Sequence, residues 1–239
     1  LRMTKLFERQ AKKFIADQVD DPELVAKLTP EYGIGCKRPS FHNSYLQTYN
    51  RDNVTLETDP IAEVVPEGIR TESGTLHEID VLILATGFKV WDSGNMPKFP
   101  VTGTAGADLE QWWRSNRYRA YEGVAMPGFP NWFLMFGPYG YNGASYFTLI
   151  EAQAGHITRC LEHARAQGAE RIEVKAEASD RFFEEMMRKR TDQVFWQDSC
   201  SLANSYYFSD DGDVPLRPAL TMQVFHRAKT YPLSDYALS

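Results

Sequence analysis

The sequence predicts an α/β protein, and three observations carry that expectation. Two short runs, VLILA (81–85) and WFLMFG (132–137), are continuously apolar, the pattern of strands covered on both faces. The second leads through the glycine-rich turn GPYGYNGAS into a long helical pattern, about 146 to 167. Between 53 and 80, short alternating segments separated by turn residues predict an antiparallel meander.

In chain order, residues 3–18 form an amphipathic helical pattern, and 21–28 a second one with acids and Pro22 in its first turn. YGIGCKRPSF (32–41) cannot be a helix, because Gly33, Gly35 and Pro39 interrupt it. A short helix or turn through Tyr45 and Tyr49 follows. NVTLET, IAEVV and GIRTE then read as strands, with turn chemistry at Pro66-Glu67-Gly68 and Ser73-Gly74, before LHEIDVLILATGF. Residues 89–106 are a Pro/Gly-rich loop, and ADLEQWWRSN is a short helix. In the long helix Ser145 is the expected N-cap and Gly168 the residue just past the end. Apolar positions 147, 150, 154, 157, 161 and 164 form its expected buried stripe. A strand RIEVK, a helix over roughly 177–194 and an irregular aromatic tail complete the chain.

Composition narrows the function classes. The 239 residues are 43% hydrophobic, 24% charged and 13% aromatic, with a net charge of −6. Broad attraction to nucleic acid is not expected at that charge. No run reaches the roughly eighteen apolar residues of a membrane span. The three cysteines, Cys36, Cys160 and Cys200, lie far apart, which fits neither a disulfide framework nor a metal site, and a reducing cytoplasm is the expected compartment. The histidines show no metal spacing, and neither a GxSxG elbow nor an HExxH helix occurs. The chain opens on Leu1 inside a helical pattern, so a fragment is expected.

Three stretches carry candidate chemistry, each beside a plainer reading. Lys37 and Arg38 sit side by side in a loop of glycine, proline and aromatics; they are either a surface pair or two cations aimed at anions. Lysine offers a compact charge suited to a phosphate, and arginine a planar fork able to steady a developing oxyanion. ILATGF ends a buried strand at Thr86-Gly87, either an ordinary strand end or a place where backbone approaches a ligand. FGPYGYNGAS precedes a helix N-terminus, whose free N–H groups and dipole suit a phosphate or anionic ring if it is more than a strand-to-helix turn. Neither GxGxxG nor GxxxxGK occurs in the chain.

In this order, GCKRP, IDVLILATGF, GFPNWFLMFGP before SYFTLIEAQ, and a late W…C…Y..DG…P segment resemble the Baeyer–Villiger branch of the class B flavin-dependent monooxygenases, from about Leu24 onward. The resemblance implies part of a Rossmann-like flavoprotein with two dinucleotide-binding domains, one for FAD and one for NADPH, with a β-meander and a helical C-terminal region. Residues 1–53 would be the end of the NADPH domain with the GCKR loop, 54–88 the crossing strands, and 89–239 the C-terminal part of the FAD domain. Lys37 would contact the 2′-phosphate of NADPH. Arg38 would be catalytic, steadying the C4a-peroxyflavin anion and then the adduct with a ketone, into which one oxygen from O2 is inserted. Thr86, Gly87, Phe88, Gly137, Pro138, Asn142 and Ser145 would be cofactor-binding, and Tyr139, Tyr141 and Tyr146 would line the substrate pocket.

With both glycine fingerprints absent, the first parts of the two domains are expected upstream of Leu1, in the N-terminal half of the parent protein, and this chain alone is expected to be catalytically silent. The expected substrate is a small molecule. Two alternatives stay open: a nitrogen- or sulfur-oxygenating enzyme of the dimethylaniline or N-hydroxylating type, and a non-catalytic binding or assembly module.

Overall fold

The structure, a computed structural model, describes residues 2–40, 42–91, 97 and 99–239. Phe41 and residues 92–96 and 98, which fall in two of the loops named above, lie outside the described residues, as does Leu1. The chain is α/β, with helices and two small sheets, and divides into two compact units, Leu1–Gly87 and Phe88–Ser239.

The first unit opens with α1 (Arg2–Gln18) and α2 (Pro22–Leu28). Helix α2 is punctuated as its sequence dictates. The Asp21 carboxylate accepts the Glu23 N–H at 2.8 Å, and Pro22 occupies a first-turn position that needs no donor. A 3-10 turn (Leu46–Asn50) is tied back to the end of α1, where the Asn50 side chain donates to the Gln18 carbonyl at 3.0 Å. Strands β1 (Ile61–Val65), β2 (Gly68–Thr71) and β3 (Leu76–Glu78) form one antiparallel sheet in that order. Gly68 is required there, since a Cβ would lie 2.0 Å from the His77 carbonyl oxygen across the ladder.

Two expected strands are absent from this unit. NVTLET is irregular, and residues 81–87 join no sheet, with Ile83 82% exposed. A strand of that composition needs a ladder on its edges and cover on both faces, and no described strand of this chain supplies either.

The second unit holds α3 (Leu109–Asn116), α4 (Tyr146–Ala166), β4 (Ile172–Val174), α5 (Ala176–Lys189), α6 (Thr221–Thr230) and β5 (Tyr236–Leu238). Strands β4 and β5 pair antiparallel, so the tail ends as an ordered strand rather than the irregular segment expected. One buried cluster joins Tyr121, Tyr139, Cys160, Ile172, Phe182 and Met186, and a second joins Trp113, Tyr118, Met126, Phe129, Val214 and Leu216. WFLMFG is not a strand. It runs irregularly, with the Leu134 N–H donating to the Val124 carbonyl at 2.8 Å.

Helix α4 buries a face rotated from the one its apolar pattern predicts, sharing Ala164 with it and leaving positions 150, 154 and 157 half-buried. The buried positions are Leu149, Gln153, His156, Cys160 and Ala164, while Phe147 is 75% exposed and Leu161 half-exposed. Two polar residues face inward because each has a partner there. Gln153 bonds backbone, and the His156 Nε2 lies 2.8 Å from the Tyr236 hydroxyl.

Candidate functional site

In the first unit the glycine loop does hold its shape. Gly35 takes φ 90°, the Cys36 N–H bonds the Gly33 carbonyl at 3.2 Å, and the Ile34 N–H bonds Glu8 of α1 at 3.3 Å. Lys37 is half-buried, its ammonium 4.9 Å from the centre of the Tyr32 ring, while Arg38 is exposed. An ammonium over an aromatic face is steadied yet still open on its outer side. Thr86 and Gly87 are exposed at the end of this unit, with Gly87 at φ 91°, and Phe88, the first residue of the second unit, is exposed as well.

In the second unit the turn Phe136–Ser145 brings Gly137, Pro138, Tyr139, Tyr141, Asn142 and Ser145 together, with Tyr146 opening α4. It is held from three sides. From α4, the Gln153 side chain accepts the Phe136 N–H at 2.7 Å and donates to the Gly140 carbonyl at 3.1 Å. From the 213–221 segment, the Pro215 carbonyl accepts the Tyr139 N–H at 2.7 Å and the Arg217 N–H reaches the Tyr141 carbonyl at 2.6 Å. From below, the Gly123 carbonyl accepts the Gly137 N–H at 3.1 Å. A Cβ on Gly123, itself at φ 76°, would lie 2.2 Å from the Gly140 Cα, so the two chains touch backbone to backbone.

This support maintains an unfavourable backbone. Phe136 and Tyr139 adopt φ 63° and 60°, each costing roughly 1–3 kcal/mol for a residue with a side chain. Glu122, at φ 51° beside Gly123, anchors the lower turn through an ion pair to Arg217 and a second, at 2.7 Å, to Arg227. Arg227 reaches onward to Glu185 at 3.0 Å, and Arg217 donates to the Tyr231 hydroxyl at 2.7 Å.

The predicted site residues differ in exposure and in what their side chains bond. Asn142 donates to the Ala219 carbonyl at 3.1 Å and to Thr221 at 3.2 Å, so its side chain staples the turn. Tyr139 is 1% exposed, its ring edge-on to Phe183, and burial pushes its hydroxyl pKa far up. Ser145 precedes α4 but makes no capping bond, which leaves the first-turn N–H groups of a 21-residue helix without a side-chain acceptor. Three residues in or beside the turn, Phe136, Phe147 and Gln153, were not among the predicted site residues. The Phe136 ring lies 4.7 Å from Tyr141 and 4.6 Å from Tyr146, and Phe147 stands edge-on to Tyr146 at 5.6 Å. Gln153 gave no sequence signal, since a lone amide in a helix has no motif.

Among the described residues no group of three His, Cys, Asp or Glu side chains could hold a metal, and no helix is long and apolar enough to cross a membrane. His156 is buried and held at a pKa of about 4, chiefly by burial and secondarily by Arg159, so it is neutral at pH 7.

No family model matches the chain. It is 35% identical over 243 residues to a Baeyer–Villiger monooxygenase of Pseudomonas aeruginosa, spanning 100% of this chain and 45% of that protein. Cyclohexanone 1,2-monooxygenase of Acinetobacter sp is 34% identical over 171 residues, 70% of this chain and 31% of the relative. Among solved structures, an oxidised steroid monooxygenase bound to NADP superposes with a TM-score of 0.86 at 27% identity, over 98% of this chain and 45% of that one. A complex of OTEMO with FAD and NADP gives 0.84 at 27% identity, over 99% and 44%. The chain thus spans less than half the length of these relatives.

Proposed function

We propose, for a chain that belongs with the Baeyer–Villiger monooxygenases over less than half their length, a share in an FAD- and NADPH-dependent enzyme that inserts one oxygen atom beside a ketone carbonyl. The observation that carries this reading is the 35% identity to a Baeyer–Villiger monooxygenase over the whole length of the chain. Relatives solved with FAD and NADP support both cofactors.

The turn at 137–145 suits a flavin's anionic pyrimidine edge. The α4 N-terminus has no side-chain cap, and a Cβ built on Gly143 meets nothing within 4 Å, so the approach is open. Gly137, Pro138 and Ser145 would hold that edge, with Asn142 stapling the turn. Thr86, Gly87 and Phe88 would offer backbone to a cofactor without steric hindrance at Gly87. Tyr141 and Tyr146, with Phe136 beside them, would wall the substrate pocket over the buried Tyr139. Bound FAD would supply the activation of dioxygen, and NADPH the hydride. Lys37, steadied on Tyr32, would take the 2′-phosphate of NADPH. Arg38 would hold negative charge on the reacting oxygens and exclude their early protonation.

Arg38→Ala in the full-length protein tests this assignment. NADPH should still reduce the flavin at close to the wild-type rate, while ester formation from a ketone falls by about 100-fold or more, as on removal of a charge-stabilising donor. Ester formation that survives the substitution would show that Arg38 does not perform this step.

A further inference from the structure

Gln153 is 5% exposed, and the partners of its amide are unusual. Both are backbone groups of the turn that feeds its own helix: the Phe136 N–H at 2.7 Å and the Gly140 carbonyl at 3.1 Å. Those two groups bracket Gly137, Pro138 and Tyr139, and the bracket encloses both left-handed residues of the turn, Phe136 and Tyr139. A neutral amide is the side chain that offers an acceptor and a donor on one planar head, which is what an N–H and a carbonyl together require.

A second observation shows the fit is built for this contact. A Cβ on Gly140 would lie 2.4 Å from the Gln153 Nε2, so the clamp closes only over a glycine. On the other side Gly123 meets Gly140 backbone to backbone. The turn is therefore gripped at one residue from two directions, with side chains removed at both contacts. The Phe136 amide is the one Gln153 holds, so the clamp also sets where the Phe136 ring lies against Tyr141 and Tyr146.

We propose that Gln153 is a positioning residue for oxygen insertion: it locks the Phe136–Gly140 turn to α4, so that the helix N-terminus and the aromatic wall are presented to flavin and substrate as one rigid piece. This rests on the reading that the turn meets FAD. Gln153 touches no reacting atom and acts through the turn.

The test uses the full-length holoenzyme with two variants. Gln153→Met keeps length and bulk but has no donor and no strong acceptor. Gln153→Glu restores both functions only while its carboxyl is protonated, and burial favours that form. Three quantities are read: hydrogen exchange of the 134–145 segment, the dissociation constant for FAD, and the visible spectrum of bound flavin. With Gln153→Met, exchange of the segment should rise at least tenfold, FAD should bind at least tenfold more weakly, and the flavin band should shift. Compared with the wild type at each pH, Gln153→Glu should match it at acid pH and move toward the Met variant as the carboxyl ionises.

Unchanged exchange in Gln153→Met would overturn the clamp and leave the proposed function standing. Raised exchange with FAD affinity and spectrum unchanged would show that the turn does not meet the flavin, and would overturn the inference together with that part of the proposed function. If the Met variant does not fold, the pH dependence of Gln153→Glu relative to the wild type decides: a ratio between the two that does not change with pH overturns the proposal.

Discussion

Replacing Glu122 with glutamine should destabilise the second unit by about 3 kcal/mol. The Glu122 side chain is 0% exposed and that of Arg217 is 2%, so the pair is fully removed from water. Breaking a buried pair by neutralising one partner costs roughly 3–5 kcal/mol, because the other charge stays desolvated without compensation. The low end applies here, since Arg217 keeps the Tyr231 hydroxyl at 2.7 Å and the faces of Phe182 and Tyr231. Arg227 adds little, because it is one-third exposed and retains Glu185. Glutamine keeps the side-chain volume and the left-handed backbone, so loss of charge is the main change. All five tryptophans lie in the second unit, at 91, 112, 113, 132 and 196, so fluorescence during urea unfolding reports on that unit. With a slope of about 2 kcal/mol/M, the midpoint should fall by about 1.5 M at unchanged slope. The pair Glu122→Leu with Arg217→Met, which leaves no unpaired buried charge at either position, should be more stable than Glu122→Gln. A midpoint shift below about 0.5 M for Glu122→Gln would refute the reasoning, as would a double variant no better than the single one.

Two further outcomes follow from buried groups near the turn. The pKa of His156 falls from 6.5 in the unfolded chain to about 4 in the fold, so its stabilising contribution is present above pH 6.5 and is lost as pH drops toward 4. Between pH 7 and pH 5 this amounts to about 2 kcal/mol; His156→Gln should flatten that part of the urea-midpoint profile, and an identical slope in the variant would assign the acid sensitivity elsewhere. Gly123→Ala would place a methyl 2.2 Å from the Gly140 Cα at φ 76°, where neither backbone can yield cheaply. It should cost roughly 3 kcal/mol or more and loosen FAD in the full-length protein; an alanine tolerated within about 1 kcal/mol would mean the two turns are not in contact.

Local chemistry made much of this readable in advance. Pro22 with its acids marked α2, the Ser73-Gly74 turn marked a strand reversal, and Gly168, at φ 67°, marked the end of α4. The Lys37-Arg38 loop stood out because glycine and proline forbid a helix around two cations. What stayed hidden depended on contacts distant in sequence. The inward face of α4 was misread because Gln153 and His156 are polar, and only their partners at Phe136, Gly140 and Tyr236 make burial favourable. Strand β5 was missed because its three residues acquire a ladder only against β4. The Phe136 wall was invisible for the same reason, since its ring meets Tyr146 through a left-handed turn that no propensity anticipates.

The two clearest errors share a cause, and the cause bears on function. Residues 81–84 and the outer stripe of α4 at Phe147 and Leu161 carry the apolar pattern of a protein interior, yet they face solvent. A run such as VLIL is stable as a strand only when its N–H and carbonyl groups find a ladder and both faces find apolar cover. Ordinary monomers keep contiguous exposed apolar surface to a few hundred Å2. The helix meets the same demand, because its inner face is already used by the core and its outer stripe is a second apolar surface. Two elements patterned for burial, one in each compact unit, are therefore exposed apolar surfaces among the described residues. The proposed function accounts for them without additional assumptions, since the relatives carry more than half of their length outside the matched stretch. On that reading the sequence signals were sound physical chemistry applied to an incomplete set of neighbours.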